Sequence, residues 1–446
     1  MTNTKQLVDF ALSVRWSELP DSTKQAIRLM FGNAAAVAVA AAQLPDVERA
    51  GRALRRMGRD GWTPVVGRTD KWNPMDAAML TGIAIHLEDF DDTHLPTVLH
   101  PAAPIVPAAL AAGQWRGATA SAVLEAVAAG AEVAIRVGNS IAPGHYNRGW
   151  HVTGTVGRVG AAVAAGKLLG LDCSGMTSAI AIASTEAAGL TAALGTMTKS
   201  LHPGRAAADG LEAALLAARG LRGCLEDPLT DKASFFRLAA PMMDPPRSLE
   251  GLGYQWETEQ NAFKPYACGV VSHPVIDTAI ELAQFAKANE VEGVTVTINP
   301  VVLDVMGVRD PTTALESKFS AFHCFAVGFL YGAGGLTEFS NEAAVRSEVA
   351  ALRSRIRFET NKDIRKGAAN ATMTTVDGRR FDVEVPHATG SVQRPMSAMQ
   401  LQEKGRRLVE PVLGKRTEGF LIRAFGLDAY SLDEFFCASI GSGKHD

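Results

Sequence analysis

Apolar positions recur at three- and four-residue spacing through roughly the first 260 residues, as in Ser121 to Val137 and Val156 to Leu169, and this spacing predicts helices. Small residues dominate their apolar faces, as in GRVGAAVAAGKLLG, which allows close helix–helix approach and predicts a tightly packed bundle. Pro96, Pro101 and Pro104 follow one predicted helix, Gly144 precedes another, and Pro203-Gly204 breaks a third region ahead of a helix over Ala206 to Ala218. After about residue 290 the period changes: VEGVTVTINP alternates as a strand does, and ATMTTVDGRRFDVEV reads as two strands around an Asp-Gly turn. RSRIRFETN supplies a further strand, while Lys318 to Leu330 and Asn341 to Leu352 read as helices, predicting helices on one face of an antiparallel sheet. Helical text returns from Met396 to Leu408 and near the terminus. The fold class is therefore mainly α: a large all-helical domain over 1–266 and 392–446, with a smaller α+β domain over 267–391 inserted in it.

Composition narrows the function classes. A net charge of -3, from 44 Lys+Arg against 47 Asp+Glu, supplies no field for a nucleic-acid or membrane-surface partner and favours a small-molecule ligand. Five cysteines, at 173, 224, 268, 324 and 437, form no C-x-x-C pair, which fits reduced thiols and argues against structural zinc or an iron–sulfur cluster. The start, MTNTKQLVDFALSVRW, lacks a basic region followed by an apolar run, and no stretch reaches the roughly 20 apolar residues of a membrane span, so a cytoplasmic location is expected.

Three polar clusters interrupt the helical text. In His86-Leu87-Glu88-Asp89-Phe90-Asp91-Asp92-Thr93-His94, a helix running from about Asn73 to about Asp92 would stack His86, Asp89 and Thr93 on one face, and the prolines that follow would carry His100 back across its end. Acids at a helix C-terminus oppose the helix dipole, and strained electrostatics marks sites. In His145-Tyr146-Asn147-Arg148-Gly149-Trp150-His151, just before a helix near Thr153, free N–H groups and the Arg148 fork would dock a carboxylate, with Tyr146 and His151 as proton carriers. In the third, Lys199, His202 and Arg205 flank Pro-Gly like an anion cradle, and Lys199 is a candidate base. Asp89-Phe90-Asp91-Asp92 also looks like the acidic magnesium motif of terpene synthases, but no second such motif is visible and histidines crowd the segment. With no nucleophile elbow, Walker loop or dinucleotide fingerprint, acid/base chemistry on an anion is what the residues support.

HLEDFDDTH with HP at 100 and 101, HYNRGWHVTGTVG, GTMTKSLHPGRAAADG, FKPYAC with SHP at 272 to 274, and the ESKFSAFHC helix together resemble the MmgE/PrpD family over nearly the whole chain. The resemblance implies a large helical and a smaller α+β domain, a homodimer, no metal or organic cofactor, and a small polycarboxylate substrate. It also implies active-site roles for Asp89, Thr93, His100, His151, Lys199 and Lys264. His323 stands where the family's decarboxylases carry a catalytic tyrosine, and Cys268-Gly269-Val270-Val271 stands where many members read Cys-Cys-Arg-Tyr. Those departures count against citrate-type dehydration and cis-aconitate decarboxylation, and in length and overall look the chain most resembles the family branch that epimerises iminodisuccinate. Lys199 and Tyr146 are then the expected opposed proton carriers, Asp89 tunes a neighbouring histidine or lysine, and Thr93, Arg148, His202, Arg205, Lys264 and His323 bind substrate. The alternative is a hydro-lyase of the 2-methylcitrate dehydratase type.

Overall fold

A computed structural model describes residues 1–58, 61–223, 226–240 and 242–441, so Cys224 lies outside the described residues. The chain divides into two compact units, one built from Met1–Leu87, Asp91–Ala262 and Ala398–Asp446, the other from Glu88–Phe90 and Phe263–Ser397. Among the described residues, no single helix is long and apolar enough to cross a membrane.

The first unit is a helical bundle whose principal members are α1 (Asp21–Ala41), α2 (Pro74–Leu87), α3 (Ala102–Arg116), α4 (Ala120–Ile141), α5 (Val152–Leu169), α6 (Cys173–Thr185) and α7 (Thr198–Ala218). It is not purely helical, because Thr63–Pro64 and Lys71–Trp72 pair as a minimal antiparallel ribbon. Local chemistry sets the helix ends: Thr119 and Asp172 cap α4 and α6, and Gly117 and Gly170 close α3 and α5 in the left-handed conformation. The core between α2, α3, α5, α6 and α7 is almost entirely alanine, including Ala78, Ala108, Ala161, Ala179 and Ala214, so these helices meet backbone to backbone.

Two expected boundaries move. Helix α2 stops at Leu87, because Asp89 takes a left-handed φ of 53° that only a small polar or glycine residue adopts readily. Helix α7, in contrast, runs through Pro203. Proline there removes one backbone hydrogen bond near the helix start, and the interruption at Pro203-Gly204 is absorbed by packing. A Cβ on Gly204 would lie 2.6 Å from the Met79 carbonyl and 2.7 Å from Ile83 Cγ1, so α7 and α2 are in near-backbone contact there. Gly204→Val is expected to destabilise the protein by about 3 kcal/mol through overpacking, read as a lowered urea midpoint at unchanged slope.

In the second unit, β1 (Val291–Ile298), β2 (Ile356–Thr360), β3 (Ala369–Thr375) and β4 (Arg380–Val385) form a sheet in the order β2-β1-β3-β4. The expected hairpin is present as β3 and β4, antiparallel around Asp377-Gly378. The sheet is mixed rather than antiparallel, since β1 and β2 run parallel. The helical segments between β1 and β2 supply the long crossover a parallel pair needs, a connection that strand periodicity does not report. The single helix expected over Asn341 to Leu352 is two, Asn341–Val345 and Ser347–Arg353, parted by an extended Arg346. Helix α8 (His273–Leu282) packs on β3 and β4 and against α9 (Ala321–Tyr331).

Candidate active site

Within the first unit, the end of α2, the loop from Asp91 to His100, the start of α5 and the start of α7 bring their polar side chains together. His86, in the last turn of α2, is fully buried, and its Nδ1 lies 2.7 Å from Asp91 Oδ2. The left-handed turn at Asp89 is what returns Asp91 beneath His86, so a helix-face alignment of His86, Asp89 and Thr93 does not form. His100 sits on the other side of the same carboxylate, with Nδ1 3.3 Å from Asp91 Oδ1. That nitrogen is also 2.7 Å from the Asp92 carbonyl and 3.2 Å from Thr93 Oγ1. A carbonyl only accepts, so His100 Nδ1 carries the proton and Nε2 the lone pair. The His100 backbone N–H donates to Thr153 Oγ1 at 3.1 Å, which ties the loop to α5.

The histidine rings continue from there. His86 meets His100 edge-on at a centroid distance of 4.7 Å and stacks on His151 at 5.7 Å. His151 caps the start of α5, and its backbone N–H donates to the Gly189 carbonyl. Its Nδ1 is 2.9 Å from Nδ1 of His202, on the second turn of α7. Lys199, buried on the first turn, adds positive charge to the field of both His86 and His151.

Burial dominates the electrostatics. It pushes His86 down to about 4, opposed by Asp91 and reinforced by Lys199 and His100. Burial also holds His151 well below its ordinary value, with His86, Lys199, His100 and His202 adding repulsion. Asp91 is held well below the usual carboxylate range: burial acts against ionisation, but His86 and His100 outweigh it. Asp92, buried beside that charge and bonded to Asn261 Nδ2 at 2.6 Å, is pushed up to about 7 by burial and by Asp91. The cluster thus gathers His86 and His151, whose charging burial disfavours, with His100 and Lys199 about the buried Asp91 carboxylate, an arrangement rich in donors and suited to receive an anion.

His86, Asp91 and His100 offer ligand atoms within 4.8 Å of one another, a spacing a metal ion accepts. The donor set fits poorly, because His86 Nδ1 and Asp91 are already hydrogen-bonded to each other and His100 Nδ1 presents a proton to the Asp92 carbonyl. The acidic run is no magnesium face either: Asp89 pairs with Lys264, Asp91 with the histidines, and Asp92 with Asn261.

The remaining expected residues are placed differently. Arg148 is exposed, and Tyr146 is half-buried on the short helix Gly144–Asn147. That helix is strapped to the approach to α7 by Thr191 N–H donating to the Gly149 carbonyl at 2.8 Å. Arg205 is no half of a cradle, since α7 is unbroken and the guanidinium pairs with Asp209 at 2.5 Å, as does Arg158. In the second unit, buried Lys264 pairs with Asp89, its Nζ 2.9 Å from the carboxylate and 3.1 Å from the Asp89 carbonyl. Lys318 similarly binds the Glu88 carboxylate and, at 2.9 Å, its carbonyl. His323 is fully buried, donates Nε2–H to the Glu338 carbonyl at 2.8 Å and accepts from Arg353 at 3.4 Å, which leaves no ring nitrogen for a substrate.

Asp91 is the residue whose place in the cluster the sequence does not yield: the helical period continued past Leu87 keeps His86 in the cluster but faces Asp89 where Asp91 stands.

Comparison with known proteins agrees in outline. Residues 5–246 match the MmgE/PrpD N-terminal domain and residues 266–424 the MmgE/PrpD C-terminal domain. The cis-aconitate decarboxylase-like protein oryM of Aspergillus oryzae is 27% identical over 92% of this chain and 91% of its own length. Cis-aconitate decarboxylase of Homo sapiens is 30% identical over 78% of this chain and 76% of its own, and that of Aspergillus terreus 32% over 61% and 58%.

Proposed function

Because the chain belongs to the MmgE/PrpD family, we propose that it is a cofactor-independent acid/base enzyme that inverts the carbon α to a carboxylate in a small polycarboxylate of the iminodisuccinate type. One observation carries the reading: His86 and His100 flank Asp91, His151 stacks on His86, and Lys199 acts on both His86 and His151, in one buried, anion-receptive cluster. Removing a proton α to a carboxylate builds enediolate charge, and fixed donors that meet that charge supply the largest share of rate enhancement.

In this mechanism the substrate carboxylates are received by Lys199 and the imidazoles. Lys199 and Tyr146 act from opposite faces, one taking the α-proton and the other returning one. His100, whose Nε2 lone pair is fixed by the bond at Nδ1, and His151 orient the carboxylates with Thr93. Asp91 replaces Asp89 as the carboxylate that tunes the histidines, while Asp89 has Lys264 for its partner. His323, with both nitrogens occupied, is left out of substrate binding, and a proton donor at the tyrosine position of the family's decarboxylases is missing with it. That argues for epimerisation over decarboxylation.

Incubating the enzyme with iminodisuccinate in heavy water is expected to exchange the α-proton without net loss of carbon dioxide or water, read by proton NMR. Lys199→Ala and Tyr146→Phe should each lower the rate at least about 100-fold. A folded variant of either with near-normal turnover removes that residue from the mechanism. The second reading, favoured by the names of the relatives, is decarboxylation of cis-aconitate; release of carbon dioxide from it would replace the first. Formation of an unsaturated product from citrate or 2-methylcitrate would instead identify a hydro-lyase.

A further inference from the structure

Two features of His151 and His202 go unused in that mechanism. Their contact is between like atoms, Nδ1 to Nδ1 at 2.9 Å, so one ring must donate while the other accepts, and the two rings are in opposite tautomers. The pair also spans two environments: His151 is buried against His86, whereas His202 is partly exposed. The backbone keeps them there. A Cβ on Gly154 would approach His202 Cβ to 3.1 Å, a Cβ on Gly189 would approach His202 Cγ and Nδ1 to 3.3 Å, and the Gly189 carbonyl holds the His151 N–H at 3.0 Å. Gly154 and Gly189 therefore let the backbone pass close against His202. His86 leans on a carboxylate, but His151 and His202 lean on each other, which leaves both neutral and able to pass a proton. Burial, with Arg158 near His202, disfavours a resting charge on either.

We infer that His151 and His202 form a proton port between the buried cluster and solvent, with His202 acting through His151 rather than on substrate; the inference rests on the α-proton chemistry proposed above. In the starting state His151 carries its proton on Nδ1 and donates it to Nδ1 of His202, which carries its own proton on Nε2. A proton released in the site adds to His151 Nε2. The Nδ1 proton then crosses to His202 Nδ1, and His202 releases its Nε2 proton to water. One proton has left, both rings are neutral again, and the hydrogen bond between them is reversed. Entry of a proton at His202 Nε2 runs the same steps backwards and restores the starting state. A reaction that expels one proton and admits one returns the port to its starting polarity in each turnover.

The port is tested first without substrate. In enzyme with nitrogen-15 histidine, the two rings should show opposite tautomers, and His202→Asn should slow solvent exchange of the His151 ring proton at least about tenfold. Identical tautomers, or unchanged exchange in His202→Asn, would overturn the inference. The second arm uses iminodisuccinate in heavy water at low buffer. The wild type should incorporate deuterium at a rate independent of buffer, and His202→Asn should incorporate it about tenfold more slowly, with free imidazole restoring the rate. A loss of structure alone would not be restored by imidazole, so absence of rescue also counts against the port. If the wild type leaves iminodisuccinate unexchanged, the proposed function fails on that probe, and the substrate-free arm still decides the port.

Discussion

Asp91→Asn is expected to lower turnover by about 10³–10⁴-fold while leaving the fold intact, the scale seen when an orienting carboxylate is replaced by its amide. Asp91 is fully buried and is the negative charge that both His86 and His100 face. An asparagine keeps the shape but removes the charge that orients the His86 Nδ1 proton. It also offers an N–H where that proton points, so the ring is driven to the tautomer with the lone pair on the wrong nitrogen. Asp92 responds too, because the charge that helps push it up to about 7 is gone and it ionises more readily. The measurement is kcat and KM for the substrate that exchanges in heavy water, with circular dichroism as the folding control. A loss within about tenfold would reduce Asp91 to a packing role.

The second large effect is on stability in acid. Burial lowers His86, His145 and His323 to about 4, and it also lowers His151 and His202. An unfolded histidine titrates near about 6.5, so between that value and about 4 the unfolded chain binds more protons than the folded one, and stability falls as pH falls. Asp92, Glu132 and Glu186 act in the opposite sense, since burial raises them and the folded state takes their protons first. The imidazoles outnumber the carboxyls, so the net effect is a loss of stability as pH falls from about 6.5 toward about 4. Below about 4, protonation of Asp91 removes further stability in the same direction. Urea midpoints measured from pH 7 to pH 5 should fall steeply, and a flat profile would contradict the buried neutral histidines.

Much of this was legible in the chain. The alternation in VEGVTVTINP and the Asp-Gly turn located β1 and the hairpin, and the small faces of GRVGAAVAAGKLLG anticipated the alanine core. The three polar clusters were visible as departures from helical text, and His100 and Lys199 both act electrostatically on His151. Other features depended on single backbone events that periodicity cannot register. One left-handed residue, Asp89, set Asp91 rather than itself beside His86. Packing against Met79 and Ile83 let α7 continue through Pro203, so Arg205 turned to Asp209 rather than to a cradle. The parallel pairing of β1 with β2 is a long-range choice, and nothing in RSRIRFETN encodes its partner. The position of His323 in its helix carries no information about the Glu338 carbonyl and Arg353 that occupy its ring.

The three residues Glu88 to Phe90 give the second unit a discontinuous composition, with a practical outcome for dissecting the protein. A fragment cut as 263–397 would retain Lys264 and Lys318 but lack Asp89 and Glu88, the carboxylates each is bound to. Two ammonium groups would then be stranded without counter-ions in an interior that tolerates them only when paired. Neither unit is autonomous in the sense of a contiguous, excisable module, and the turn that sets Asp91 under His86 also delivers the anions that complete the smaller unit.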